Sequence, residues 1–196
     1  MATTVLLCGV GGQGTILAAH ILAQVAHASG ADVKVSEIHG MSQRGGAVTT
    51  VVVFGDEVAS MVSGTGCADV IVAFEAIEAL RNLDQLRLGG TLVVNDEVIK
   101  PASVLTGSFR LEGDIPGELA DAGAILVPAE ETARAAGNPK ASNVVLLGCL
   151  SAELPFSVGT WQDVIAKSVP PKTVEVNAAA FLAGRAFAAE HAAGRV

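Results

Sequence analysis

The 196-residue chain has few aromatic and few charged side chains. It contains no Tyr, one Trp and six Phe, and 16% of its residues are charged, whereas 51% are hydrophobic. A chain of this length and apolar content can bury a sizeable aliphatic core in one domain, 1–196, without disulfides or structural metal. The chain has 12 Lys and Arg against 20 Asp and Glu, which gives a net charge of −8. This charge argues against nucleic acid or an anionic membrane as a partner.

Cysteine is also scarce, and no two cysteines have metal-ligand spacing. Cys8, Cys67 and Cys149 are far apart in the sequence and no C-x-x-C occurs, which argues against a zinc site or an iron–sulfur cluster made by this chain alone. Their apolar neighbourhoods predict three small buried thiols, typical of the reducing cytoplasm. No signal peptide is apparent, and no apolar run reaches the ~18 residues that a membrane span needs.

Three common kinds of catalytic motif are missing as well. The sequence has no G-x-S-x-G elbow, no H-E-x-x-H pair and no G-K-[ST] after its glycines. His20, His27 and His191 fall on predicted helices without a second residue at metal-ligand spacing, so we expect them at the surface. These three kinds of catalytic machinery are therefore unsupported, and we predict no catalytic residue and no metal ligand in this chain.

What the sequence does have is a regular alternation of strand and helix patterns. Apolar or alternating runs predict strands, and longer periodic runs predict helices. The fold class predicted is α/β, a three-layer α/β/α sandwich with a mostly parallel sheet, an antiparallel hairpin and a Rossmann-like first β-α-β unit. Strands are predicted at 4–8, 32–37, 47–54, 58–62, 69–74, 90–95 and 124–127, with an extended segment at 103–111; the hairpin joins 47–54 to 58–62. Helices are predicted at 14–29, 75–80, 116–121, 129–136, 141–154, 159–168 and 173–190.

The glycine-rich stretch between the first strand and the first helix is the most informative motif. Gly9, Gly11 and Gly14 satisfy G-x-G-x-x-G, and Gly12 and Gln13 lie between them. Backbone N–H groups at such a turn point to one spot, and the helix dipole makes that spot suitable for a phosphate or carboxylate. Close packing of the helix on the strand also selects small residues here, so the motif alone leaves a purely structural role open.

A second polar loop follows the second predicted strand. In a chain with so few cations, an arginine beside glycines suggests contact with an anion, and the neighbouring polar side chains add reach. The alternative is that Arg44 pairs with Glu37 and shapes a subunit interface. The candidate residues for ligand or interface contacts in this loop are His39, Gln43, Arg44, Gly45 and Gly46.

The position of Glu37 is also compatible with a dinucleotide-binding protein. It ends the second strand, where dinucleotide-binding proteins place the acid that contacts ribose. A stand-alone NAD(P)- or flavin-binding oxidoreductase therefore remains an alternative function for this chain. A third alternative is a non-enzymatic assembly module in which both loops serve only contacts.

The two loops together resemble a known family. The stretches at 9–14 and 34–46 are similar to the gamma-type subunit of 2-oxoacid:ferredoxin oxidoreductases, and the His-Gly-Met-x-Gln-Arg-Gly-Gly form is most similar to the beta subunit of the indolepyruvate enzymes. Residues 143–148 and 174–184 fit as well, while about 90–136 matches in pattern only.

The resemblance implies a subunit of an enzyme that oxidatively decarboxylates a 2-oxoacid, an arylpyruvate such as indolepyruvate, to its acyl-CoA and passes electrons to ferredoxin. It also implies that thiamine diphosphate and iron–sulfur clusters sit on a partner alpha subunit, with no cofactor in this chain. Coenzyme A, as co-substrate, and the 2-oxoacid carboxylate are the anions that the two loops could contact. Whether the chain alone forms a homodimer is left open by the sequence.

Overall fold

A computed structural model describes residues 2–39, 46–61, 64–101, 104, 106–108, 110 and 113–193, with residues 39, 192 and 193 described by backbone alone. The strands are β1 (Thr3–Val10), β2 (Asp32–His39), β3 (Ala47–Gly55), β4 (Ala68–Ala73), β5 (Leu86–Asn95) and β6 (Ile125–Val127). The longer helices are α1 (Thr15–Ala28), α2 (Ala76–Arg81), α3 (Ile115–Asp121), α4 (Ala129–Ala135), α5 (Ser142–Ala152), α6 (Val158–Ser168) and α7 (Val174–Ala193).

The six strands form one mixed sheet in the order β2-β3-β1-β4-β5-β6. β1, β4, β5 and β6 are parallel neighbours, and β3 is antiparallel to both β1 and β2. The α/β class and the mostly parallel sheet predicted from the sequence are thus confirmed. The first β-α-β unit is present but split, because β3 lies between β1 and β2.

Alternation along the strands separates the core into two layers. On one face, Val5, Leu7 and Val72 pack with α1 and α5 in a large cluster that also holds Trp161. On the other face, alternate residues pack with α2 and α3 in a smaller cluster. Period-two alternation of side chains places both sets inside, so the sheet is the middle layer of the predicted sandwich.

Two predicted segments were wrong. Residues 58–61 form no strand, and the antiparallel hairpin is β2–β3, whose strands are joined across residues 40–46. The reason is that Val58 donates its N–H to the Asp32 carboxylate over 2.8 Å and packs its side chain into the smaller cluster, so the segment is held by side chains rather than by a strand ladder. The described part of 103–111 is turned rather than extended, since Gly107 N–H donates to the Val104 carbonyl.

Two helices meet at an unusually close crossing. A Cβ on Gly148 or on Gly184 would collide with the backbone of the other helix, at Phe181 and Val145 respectively. The Cys149 thiol donates to the Gly184 carbonyl over 3.1 Å at the same crossing. Glycine at both positions lets α5 and α7 approach, and this contact positions the first turn of α5 beside the glycine loop. Within the described ranges, no helix has both the length and the apolar character that crossing a bilayer requires.

Candidate functional site

The glycine loop lies at the carboxyl end of β1, where it leads directly into α1. Gly12 and Gly14 have φ angles of 107° and 81°, in the left-handed region that favours glycine. α1 has no side-chain cap and no acidic residue in its first turn. The positive end of the helix dipole therefore meets no carboxylate from α1 itself, which suits an anion.

The tip of the loop is open while its base is closely packed. A Cβ on Gly12 would have no heavy atom of the described residues within 4 Å, so those residues leave the backbone open to a ligand there. A Cβ on Gly9 would lie 2.8 Å from the Cβ of Phe74 and 2.9 Å from the Gln13 Oε1. Within the same motif, Gly9 thus allows close packing and Gly12 leaves the backbone open to a ligand.

The two loops singled out in the sequence meet at the carboxyl end of β1. Gly11 donates its N–H to the Gly46 carbonyl over 2.9 Å, and Val10 pairs with Ala47 where β1 and β3 meet. The second loop therefore ends against the first. Gly46 is described, whereas Gln43, Arg44, Gly45 and the His39 side chain lie outside the described residues, so their contacts remain predictions.

Gln13 braces the loop rather than extending away from it. Its Oε1 accepts from the Val10 N–H over 2.8 Å, and its Nε2 donates to the Phe74 carbonyl over 2.9 Å and to the Glu97 carboxylate over 3.3 Å. Asn95 donates to the same two acceptors, at 3.2 and 3.3 Å. These amides tie the glycine loop to the carboxyl ends of β4 and β5.

The flank of the site next to β5 and β6 is acidic. Partial burial, followed by the charge of Glu130, raises the pKa of Glu97, and the Gln13 hydrogen bond offsets part of that rise. Partial burial and then the charge of Glu131 raise the pKa of Asp96. The negative charges on this flank therefore disfavour an anion on the β5–β6 side of the sheet edge.

The dinucleotide alternative loses its geometric basis. In the Rossmann arrangement the acid-bearing strand lies next to the first strand, but here β3 separates β2 from β1. Two strand spacings put the end of β2 roughly 10 Å from β1. Glu37 is also engaged, since its carboxylate lies 3.0 Å from the His20 Nε2. His20, His27 and His191 are exposed, as predicted.

Two polar residues that were not predicted as site residues lie against the loop, although Asn143 begins the stretch 143–148 that fits the family resemblance. The Thr15 hydroxyl lies 3.1 Å from the place of a Cβ on Gly9, and the Asn143 Nδ2 lies 2.7 Å from the place of a Cβ on Gly14. Asn143 stands in the first turn of α5, which starts more than a hundred residues after the loop. Spacing along the chain carries no signal for such a contact.

The cysteines occupy three separate environments. Cys8 is buried among the smaller cluster and Cys149 in the larger one, whereas Cys67 is exposed, so the prediction of three buried thiols was wrong at Cys67. Among the described residues, no group of three or more His, Cys, Asp or Glu side chains is arranged to hold a metal ion.

Comparison with known proteins agrees with the resemblance found in the sequence. Residues 4–187 match the family described as pyruvate ferredoxin/flavodoxin oxidoreductase. The chain belongs to this family. Indolepyruvate oxidoreductase subunit IorB of Thermococcus kodakarensis is 40% identical over 192 residues, which cover 92% of this chain and 93% of that protein.

Solved structures of this family share the fold. The gamma subunit of a keto/oxoacid ferredoxin oxidoreductase from Geobacter sulfurreducens has a TM-score of 0.72 at 25% identity, covering 96% of this chain and 99% of that one. The 2-oxoglutarate:ferredoxin oxidoreductase of Magnetococcus marinus, solved with 2-oxoglutarate, coenzyme A and succinyl-CoA bound, has a TM-score of 0.74 at 22% identity. That match covers 96% of this chain and 31% of the longer one and extends to the fold alone. The predicted gamma-type resemblance is confirmed, and this member of the family is a subunit of a 2-oxoacid:ferredoxin oxidoreductase.

Proposed function

We propose that the chain completes an arylpyruvate:ferredoxin oxidoreductase in the cytoplasm. The enzyme decarboxylates a 2-oxoacid such as indolepyruvate, transfers the acyl group to coenzyme A and passes the electrons to ferredoxin. A partner alpha subunit carries thiamine diphosphate and the iron–sulfur clusters. The indolepyruvate oxidoreductase subunit of T. kodakarensis, similar over nearly its whole length, supports the arylpyruvate class of substrate.

One observation carries the proposal: the Gly11–Gly46 hydrogen bond joins an uncapped helix start to the loop that contains Arg44. The N–H groups of Val10, Gly11 and Gln13 already donate within the fold. The donors that we assign to the anion are therefore the N–H groups of Gly12, of Gly14 and of the first turn of α1, with the Arg44 guanidinium acting on the same anion from the other loop. Backbone donors suit phosphate oxygens, and the arginine fork suits a phosphate or a carboxylate.

Coenzyme A fits this site better than the 2-oxoacid does. Its phosphates carry more charge than one carboxylate, and the open backbone at Gly12 allows close approach of a bulky group. The bound coenzyme A in the M. marinus enzyme belongs to that enzyme, whose fold this chain shares. In our proposal the glycine loop, Arg44 and Gly45 bind phosphate, while His39 and Gln43 contact the ligand or the partner.

Thiamine diphosphate, when bound to the partner, supplies the electron sink that decarboxylation requires. The residues of this chain have a different task, which is to hold the co-substrate and exclude water from the shared active site. A covering layer strengthens electrostatic contacts inside the site and protects a reactive intermediate. The apolar core described above gives that layer a rigid base.

Co-purification tests the proposal directly. The affinity-tagged chain, expressed in its native source, should recover a large subunit that contains thiamine and iron–sulfur clusters. The recovered complex should oxidise arylpyruvates in the presence of coenzyme A and ferredoxin, and the chain alone should show no activity. A chain recovered alone and active would contradict the proposal, and so would micromolar binding of NAD, NADP or FAD to the chain.

Replacing Arg44 separates a ligand role from an assembly role. In the reconstituted complex, Arg44→Ala should raise the KM for coenzyme A about tenfold or more, the usual cost of losing a charge-assisted contact. Lys167→Ala, in the last turn of α6, removes the same charge and serves as the control. An unchanged KM with weakened assembly would instead favour the assembly-module alternative.

A further inference from the structure

The start of α1 holds a buried hydroxyl without a hydrogen bond. Thr15 is 3% exposed, and its Oγ1 has no hydrogen-bond partner among the described residues. Burying a hydroxyl without a partner is costly, so such groups are rare and call for an explanation. The oxygen lies 3.1 Å from the place of a Cβ on Gly9, so it reaches the base of the glycine loop through the space that the missing side chain leaves.

A second donor reaches the same loop from another helix. The Asn143 Nδ2 occupies the space over Gly14 that a side chain would need, at 2.7 Å from the place of its Cβ. Asn143 is 8% exposed and lies in the first turn of α5. α5 continues directly from the 3₁₀ turn Pro139–Ala141, whose start is capped by the Asn138 side chain, so what α5 contributes at Gly14 is the Asn143 amide.

We propose that Thr15 and Asn143 are ligand-binding residues: the Thr15 hydroxyl and the Asn143 amide donate hydrogen bonds to the same oxyanion that the glycine loop holds. The inference rests on the proposed function and deepens it. A tetrahedral or planar oxyanion offers several acceptor oxygens, more than one backbone turn can satisfy. The two side-chain donors complete the shell, and the side-chain-free positions at Gly9 and Gly14 are what give them access.

The structure supplies a matched control for Thr15. Thr50 on β3 is fully buried and its hydroxyl is likewise without a partner among the described residues. It lies in register with Leu7 and Glu37, in the middle of the sheet rather than at the glycine loop. Replacing either threonine with valine removes one unpaired hydroxyl and keeps the side-chain shape.

Calorimetric titration of the full chain tests the inference with three probes: inorganic pyrophosphate, coenzyme A and phenylpyruvate. Thr15→Val should weaken binding of the preferred probe about tenfold, as expected for a hydrogen bond to a charged group. Thr50→Val should leave it within twofold of the unmodified chain. Both variants should unfold at or above the urea midpoint of the unmodified chain, because neither loses a hydrogen bond. The probes separate a phosphate source of the anion from a carboxylate source.

Asn143→Asp tests the second donor. It replaces a donating amide with a carboxylate and should abolish detectable binding of the same probe. Asn177→Asp is the control, since Asn177 is equally buried and donates to the carbonyl of Thr173, just before α7, over 2.8 Å. Both aspartates should lower stability, but only the first should prevent binding.

Each remaining outcome counts against the inference. Equal binding by the Thr15 and Thr50 variants would remove the ligand role of Thr15, whether both bind normally or both bind weakly. Loss of binding in Asn177→Asp as well would reduce Asn143 to a packing residue. Failure of the unmodified chain to bind any of the three probes would overturn the anion site as a whole. Recovery of the thiamine-bearing partner is measured separately, so failure of the subunit assignment remains distinguishable.

Discussion

The amide nitrogen of Gly11 lies 2.9 Å from the carbonyl oxygen of Gly46. These two residues are 35 positions apart in the chain, and each belongs to a loop that the sequence marks as functional. β3 brings them together by inserting beside β1, so that the polar loop after β2 ends at the carboxyl edge of β1. An arrangement with the two loops at opposite ends of the sheet would have ended the case for a shared site.

Substitution at Gly12 should affect the site more than it affects the fold. Gly12→Ala places a methyl group at a φ of 107° where no atom of the described residues lies within 4 Å, and Gly30→Ala does the same at 88° after α1. Both should lower the free energy of unfolding by about 1 kcal/mol, the strain of the left-handed region. Only Gly12→Ala should weaken coenzyme A binding, measured by calorimetry. Equal binding by both variants would indicate that the loop backbone does not contact the ligand.

Filling the crossing of α5 and α7 should damage stability. Gly184→Ala puts a methyl group against the Val145 backbone, where no flexible side chain can move aside. We expect a loss of about 3 kcal/mol or more in urea unfolding, the upper range for overpacking. Gly159→Ala in α6, whose nearest neighbour is the Ser157 Oγ at 3.8 Å, should instead stabilise by about 0.5 kcal/mol. A neutral Gly184→Ala would show that the two helices can separate freely.

The raised pKa of Glu97 should appear as a pH dependence of stability. Because the folded chain holds this proton more tightly than the unfolded chain does, Glu97 contributes stability at acid pH. That contribution is lost as the pH rises above the ordinary value of 4.5 and through the raised value. Glu97→Gln should therefore match the unmodified chain at pH 4 and exceed its urea midpoint at pH 7.

The control for Glu97 is another removal of one negative charge. Glu57 is exposed in the segment after β3, so Glu57→Gln changes the net charge equally without touching the Gln13–Asn95 network. Its urea midpoint should follow that of the unmodified chain at both pH values. If both glutamine variants gain stability at pH 7, the gain comes from net charge rather than from the site.

Thiol reactivity should distinguish the three cysteines. Burial raises the pKa of the Cys149 thiol to about 12, and burial followed by the charges of Glu78 and Glu75 raises that of Cys8 further. Cys67 is exposed. The native chain should therefore react rapidly at one thiol with a disulfide reagent at pH 8, and at all three in denaturant. Cys67→Ser should abolish the rapid reaction; a rapid reaction that persists in this variant would mean that a buried thiol is accessible.

Local patterns predicted most of the architecture. The first helix ends before Gly30, whose φ of 88° lies in the left-handed region that favours glycine. The strands β1, β4, β5 and β6 lie where apolar runs in the sequence predict them. The strand predicted at 58–62 was wrong because the apolar side chain of Val58 serves core packing and not a strand ladder. Val58 fills the smaller core cluster while its N–H bonds to Asp32, a contact that no local pattern encodes.

For the candidate site too, some features follow from local sequence and others depend on the tertiary structure. The residue types at 9–14, set between a strand and a helix, are sufficient to predict an anion-friendly turn, because glycine conformation and helix dipoles are local properties. Three other features of the site depend on strand order and on the helix crossing. They are the hydrogen bonds of Gln13 to Phe74 and Glu97, the contact of Asn143 with Gly14, and the separation of Glu37 from β1.

The sequence by itself determined the fold class, the family and the two loops, since periodicity, glycine placement and motif spacing are written along the chain. Only the tertiary structure decided which loops meet and which donors surround them. Strand order and the α5–α7 crossing arise from long-range packing between residues distant in the sequence, such as Val5 with Val70 and Val145 with Gly184.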